Sequence, residues 1–136
     1  VVLCLESFEH ATRRGAKIYS EILGTLSYNE ADHAMRMDLT GKKAANGISK
    51  LLKISKHELS EVDYFCGHGT ATRNNDFAES KAMEVLYNGT PKTKWAPVGS
   101  IKPIFGHTFG AAGLINIAAT SLMIQEQTLC PTINLT

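Results

Sequence analysis

Lys102-Pro-Ile-Phe-Gly-His107-Thr-Phe-Gly-Ala-Ala-Gly113 decides how this chain is read, together with His68-Gly-Thr70-Ala-Thr72 upstream. In the first stretch a histidine follows a glycine and opens a long apolar run, and a lysine stands five residues before it. In the second, a histidine lies in a Gly/Thr loop that follows the short apolar run Tyr64-Phe-Cys66. Two histidines at element ends, surrounded by small residues, suit a site that stabilises a developing negative charge.

Working outward, the spacing of apolar residues predicts alternating strands and helices. Val1–Leu5 is a continuous apolar run and reads as a strand buried on both faces. Glu6–Arg14 reads as a short helix or turn closed by Gly15, and 17–26 as a strand with one mostly apolar face. Tyr28–Leu39 has no clear period and reads as a loop; its His33, Met35 and Met37 suggest that it lines something. Thr40–Ile54 is an amphipathic helix with Ala44, Ala45, Ile48, Leu51 and Leu52 on one stripe and Thr40 as N-cap. Tyr64–Cys66 is a short buried strand and Asp76–Leu86 a helix, with Asp76 as cap, Glu79 closing a capping box and Gly89 ending it. Val98–Ile101 is a strand. His107–Gln125 is an apolar helix buried nearly all round. This alternation implies an α/β layered fold in one domain, residues 1–136, with no internal repeat.

Composition narrows the function. A chain of 136 residues with 43% hydrophobic and 20% charged content suffices for one soluble domain with a core. A net charge of +1 argues against a nucleic-acid binder driven by phosphate contacts. The stretch Ala111–Ile124 holds Asn116, Thr120 and Ser121 and is too short and polar for a membrane span. Cys4, Cys66 and Cys130 form no disulfide framework, so a reducing cytoplasm is the default compartment. The chain starts inside a strand-like run and stops in an extended one, which reads as a piece of a longer protein truncated at both ends.

Each candidate residue carries an ordinary reading beside the chemical one. His107 at a helix start would feel the helix dipole and Lys102, both of which disfavour a second ring proton, and could donate one N–H to an oxyanion. It could equally cap the helix within the core. His68 would project from the carboxyl end of a strand, where ligands of α/β sheets lie. Thr70 and Thr72 could bond a polar arm, or satisfy their own loop. Asp76 reads as a cap. Glu79 is open to two roles, closing the capping box or pairing with Lys102. No metal site is expected, since Cys66, His68, Asp76 and His107 lack metal-finger spacing, and Gly106, Gly110 and Gly113 match no phosphate or dinucleotide loop. Lys42, Lys43, Lys50, Lys53 and Lys56 read as a solvated face or a dock for an acidic carrier protein.

The chain resembles, over its whole length, the C-terminal half of the β-ketoacyl-[acyl-carrier-protein] synthases, condensing enzymes of the thiolase-like superfamily. The resemblance rests on six motifs in order: Leu3-Cys-Leu-Glu6 with His10-Ala-Thr-Arg-Arg-Gly-Ala-Lys-Ile-Tyr19; Val62-Asp-Tyr64; His68-Gly-Thr-Ala-Thr72; Asn75-Asp76 with Glu79; Gly99-Ser-Ile-Lys102 with Gly106-His107 through Gly113; and Pro131-Thr-Ile-Asn134. It implies a mixed sheet covered by helices. It implies a decarboxylative Claisen condensation of malonyl-carrier protein with an acyl-enzyme thioester, in fatty acid or polyketide synthesis. His68 and His107 would be the catalytic histidines, Lys102 the site lysine with Glu79 as its acid partner, and Thr70 and Thr72 the contacts to phosphopantetheine. No cofactor is implied beyond that arm. Partners implied are an acyl carrier protein and a second copy of the chain.

Two departures matter. The family's nucleophilic cysteine lies in the N-terminal half, and none of the three cysteines here has its strand-to-helix context, so this piece alone is expected to condense nothing. Cys66-Gly67 replaces the usual Asn-Ala, and Asn116 stands where many relatives carry a glutamate. Two other functions compete: a non-catalytic partner of the chain-length-factor kind, and a free-standing module that holds a carrier arm. Retention of His68, His107 and Lys102 favours the enzyme.

Overall fold

The computed structural model describes residues 1–31, 33 and 36–135. Its centre is a strand–helix–strand unit: β1 (Phe65–Cys66), α3 (Arg73–Leu86) and β2 (Val98–Gly99). The strands are parallel, in the register Phe65↔Val98 and Cys66↔Gly99. Phe65 N–H donates to Pro97 O at 2.9 Å and Gly67 N–H to Gly99 O at 2.8 Å. Parallel neighbours need a long crossover, and α3 supplies it. Upstream lie α1 (Phe8–Arg13) and α2 (Lys42–Ser55); downstream lie α4 (Lys102–Phe105) and α5 (Ala112–Glu126), with 3₁₀ turns at Leu59–Glu61, Lys92–Lys94 and Phe109–Ala111. The α/β class expected from the alternation holds.

Aromatic packing fixes one side of the sheet. The Phe65 ring meets Tyr87 edge-on at 6.5 Å, and Tyr87 stacks on Trp95 at 5.1 Å. The Tyr87 hydroxyl accepts from the Ala96 N–H, and Trp95 Nε1 donates to Thr90 O, so both polar ends are satisfied in place. On the other side Gly99 leaves room for the Tyr64 hydroxyl, which a Cβ would meet at 2.5 Å. Helix α2 packs on α3. They approach closely at Gly41, whose Cβ would lie 2.2 Å from Ala82 N, and both helices bury alanines.

Several expected boundaries move, each for a local reason. Thr40 is not the cap of α2. Gly41 occupies the N-cap position at φ 68°, and Asp38 supplies the capping carboxylate. Its Oδ2 accepts from Lys43 N–H, and its Oδ1 accepts from Thr40 N–H and hydroxyl. A carboxylate serves three donors and suits the positive helix end better than one hydroxyl. Helix α3 begins at Arg73, not Asp76. The Asp76 N–H already donates to Thr72 O, so Asp76 lies inside the first turn and caps nothing. Gly89 sits beyond the end of α3, whose C-cap is Tyr87.

The long helix expected from His107 is broken. Gly106 ends α4, its N–H donating to Lys102 O, and Phe109 at φ 46° breaks the backbone again, so α5 starts only at Ala112. Nor is α5 buried all round: Leu122 and Ile124 are more than half exposed. The runs 1–5 and 17–26 form no regular element and have no ladder partner among the described residues. A strand is made by its neighbour, and apolar sequence alone does not supply one. The second run lies against α5, with Ser20 Oγ 2.7 Å from Ser121 Oγ and Gln125 Nε2 donating to Tyr19 O. Of the loop expected to line something, Met35 lies outside the described residues.

Gly41→Ala in the folded protein would combine a left-handed backbone with a backbone overlap. We expect a loss above about 2 kcal/mol, read as a lower denaturant midpoint; an unchanged midpoint would refute the close α2–α3 approach.

Candidate active site

The end of β1 delivers residues 67–72 toward α3, and one carboxylate from that helix holds them. Glu79 Oε1 accepts from His68 N–H at 2.6 Å, and Oε2 accepts from Gly69 N–H at 2.7 Å and from Asn75 Nδ2 at 2.8 Å. Gly69 sits at φ 48°, and a Cβ there would come 2.4 Å from Ser100 Cβ, so only glycine fits. Ser100 Oγ donates to Gly69 O at 3.2 Å and accepts from Lys102 N–H at 3.2 Å. The loop carrying His68 is thus tied to α3 on one side and to the end of β2 on the other.

His107 arrives from the segment between α4 and α5. The two imidazole rings lie 5.2 Å apart between centroids and are perpendicular, at 87°. The Phe109 ring stacks on His107 at 4.9 Å and 21°. Phe109 N–H donates to His107 Nδ1 at 3.2 Å. With Nδ1 accepting, a neutral ring carries its proton on Nε2, and that N–H is the donor the site presents. Phe109 makes both contacts from φ 46°, a conformation that costs a bulky residue roughly 1–3 kcal/mol.

The electrostatics keep His68 neutral. Burial pushes its pKa below the ordinary histidine value, and the nearby Lys102 and His107 push the same way against Glu79. Lys102 opens α4 and is buried at 8% exposure, and its Nζ has no hydrogen-bond partner among the described residues. The expected Lys102–Glu79 pair is not formed. Glu79 is occupied by two backbone amides and the Asn75 amide instead. Glu79 ties the His68 loop to α3. It closes no capping box, because α3 begins at Arg73, which puts Glu79 in the second turn with its oxygens taken by the His68 and Gly69 amides and the Asn75 side chain.

Thr70 and Thr72 flank the same loop and bond each other, Oγ1 to Oγ1 at 2.9 Å. Asp76 is exposed and accepts from Asn75 Nδ2. No group of three or more His, Cys, Asp or Glu among the described residues is arranged to hold a metal ion. Burial raises the Cys66 thiol, with Lys102 opposing and Cys130 and Glu79 adding, so it is a poor thiolate source. Sequence reading gave no role to Phe109, nor to Ser100 and Asn75, which it quoted only as parts of motifs. The Asn75 signal was present beside Asp76; nothing in the sequence marks Phe109 as a residue of left-handed backbone.

Two apposed imidazoles at the carboxyl end of a parallel strand, with a buried lysine beside them, suit the ketosynthases of thiolase-like fold. Residues 19–136 match the family profile "Beta-ketoacyl synthase, C-terminal domain", and the chain belongs to that family. It is 37% identical over 131 residues to the oxytetracycline polyketide putative beta-ketoacyl synthase 1 of Streptomyces rimosus, covering 96% of this chain and 30% of the relative. It is 30% identical over 134 residues to the 3-oxoacyl-[acyl-carrier-protein] synthase 2 of Mycobacterium bovis, covering 98% of this chain and 31% of the relative. Among solved structures, it matches a type II polyketide ketosynthase in complex with its acyl-carrier protein, with TM-score 0.88 and 36% identity over 96% of this chain and 32% of that one. The ishigamide ketosynthase/chain length factor matches with TM-score 0.81 and 33% identity, over 96% of this chain and 31% of that one. The chain therefore spans about three-tenths of the length of the curated relatives it matches.

Glu79→Ala should release the His68 and Gly69 amides. We expect loss of their protection from hydrogen exchange and a stability decrease of about 2 kcal/mol or more, with Glu79→Gln intermediate. Retained protection of both amides in Glu79→Ala would show that the clamp is not what holds the loop.

Proposed function

We propose that this chain is the C-terminal domain of an active β-ketoacyl synthase. In this reading it catalyses decarboxylative Claisen condensation, with the nucleophilic cysteine supplied by another part of the longer protein. The observation that supports it is the perpendicular His68–His107 pair, in which His107 offers Nε2–H while burial and Lys102 keep His68 neutral. Two neutral donors beside a buried ammonium suit an oxygen that gains charge.

In the proposed reaction an acyl group is held as a thioester on the missing cysteine. A malonyl thioester enters on the phosphopantetheine arm of an acyl carrier protein, with Thr70 and Thr72 as polar contacts for the arm. The bond to the carboxylate breaks, CO2 leaves, and the electron pair passes to the thioester oxygen between the two imidazoles. The enolate carbon then attacks the acyl carbonyl, the new C–C bond forms, and the cysteine thiolate departs. Stabilisation that grows as charge develops lowers the barrier rather than merely binding substrate. The solved relative titled as a complex of a ketosynthase with its acyl-carrier protein supports the carrier as partner. The reading calls for no cofactor beyond the arm, and extends to a homodimer acting in the cytoplasm.

A non-catalytic, chain-length-factor-like subunit is the second reading, favoured by the ishigamide ketosynthase/chain length factor among the structural relatives. A subunit that only shapes a cavity has no use for two apposed neutral imidazoles.

The test is His107→Ala in the full-length protein, with labelled malonyl-carrier protein. CO2 release should fall by about 10²-fold or more, while acyl loading, read by intact mass, persists. Undiminished CO2 release would end the role for His107, and no loading of the unmutated protein would favour the second reading. The pH dependence has a definite sign. Because the His68 pKa is lowered, the ring stays a neutral donor below the ordinary 6.5, and activity should fall only on the acid side of that value. An acid limb at or above 6.5 would contradict the assignment.

A further inference from the structure

Among the described residues, Lys102 Nζ and the Tyr64 hydroxyl are buried polar side-chain atoms without a hydrogen-bond partner. A buried ammonium normally has a carboxylate beside it, since an unpaired charge out of water is costly. Glu79 is taken by the His68 loop. The narrow cleft that Lys102 lines is otherwise walled by Phe105, Ile115 and neighbouring apolar or glycine positions, with Thr108 and Asn116 as its other polar side chains. Both are uncharged. Asn116 lies one turn inside α5, half-buried, on the wall facing α4.

We propose that Asn116 is a positioning residue that sets the charge of the site: an amide at this point of the Lys102 cleft leaves the ammonium uncompensated, so that its field falls on the His68–His107 pair. This rests on the function proposed above for that pair. The groups facing His68 are Lys102 from α4, Glu79 from α3 and His107 from the intervening segment; Glu79 alone is negative. A carboxylate at 116 would add a second negative group next to Lys102 and largely cancel its effect on the imidazoles. With the amide, the Lys102 charge adds to burial in keeping His68 neutral, and an anion forming between the rings meets a net positive surround. Asn116 does this without touching the reacting atoms.

The experiment is a double-mutant cycle in the full-length protein: Asn116→Asp, with and without Lys102→Met. Two readouts independent of turnover are taken, the His68 and His107 titration midpoints by carbon-13 NMR of labelled histidine, and the denaturant midpoint. With Lys102 present, Asn116→Asp should raise the His68 midpoint by roughly half a pH unit or more and raise the denaturant midpoint. In the Lys102→Met background the same carboxylate is buried unpaired and should lower the denaturant midpoint. Equal stability changes in both backgrounds, or unmoved histidine midpoints, would overturn the proposal. Should the aspartate fall short of Nζ, Asn116→Glu gives the longer reach under the same two criteria. In activity assays the acid limb of the decarboxylation profile should move up by the same shift in Asn116→Asp, with KM little changed. Absence of decarboxylation in the unmutated protein would sink the functional reading while leaving the NMR and stability cycle decisive for the charge claim.

Discussion

The His68 side of the site depends on one carboxylate accepting from two consecutive backbone amides. Glu79 reaches from α3 to the His68 and Gly69 N–H groups, which the end of β1 leaves without ladder partners. Charge-assisted bonds of this kind are about twice as strong as neutral ones. They turn a loop of small residues, which on composition alone would be mobile, into a fixed mount for an imidazole. The glycines on either side of His68 serve the same end. One lies against Glu79, and the other lets the chain pass Ser100.

Committing Glu79 to the backbone has an electrostatic result. The carboxylate that could have neutralised Lys102 is spent on geometry, and the lysine remains charged and buried beside two histidines. Its field and the partial burial of His68 act together, so the His68 ring favours the neutral form. The interaction that builds the site and the charge that tunes it are therefore linked through a single side chain.

Much of this was legible in the sequence, though unevenly. The α/β alternation, α2 and the strand–helix–strand core follow from periodicity, and the small residues around them single out His68 and His107. Helix starts were misplaced wherever a non-local or backbone group won: Asp38 over Thr40, Thr72 over Asp76, and the break at Phe109 over a continuous helix from His107. Phe109 shows why. Nothing in its residue type signals a positive φ; the stacking on His107 and the bond into Nδ1 accompany it, and both are tertiary. The Glu79–Lys102 pair failed for the same reason, since the sequence shows two opposite charges but not that amides already occupy one of them. The strands expected at 1–5 and 17–26 have no ladder partner among the described residues, and no local pattern can supply one.

The two halves of the site differ in what it costs to assemble them. Glu79 and His68 are eleven residues apart, within one strand–helix unit. Closing so short a loop carries a small entropic penalty, and it grows only slowly with length. His107 must be brought in from beyond β2 and is held by its own neighbour, Phe109, at a backbone angle that is itself unfavourable. The His68 half is thus a product of local contact order, while the His107 half borrows its stability from the rest of the fold. Local opening of the protein should uncouple them from the His107 side first, leaving His68 on its mount with no ring across from it.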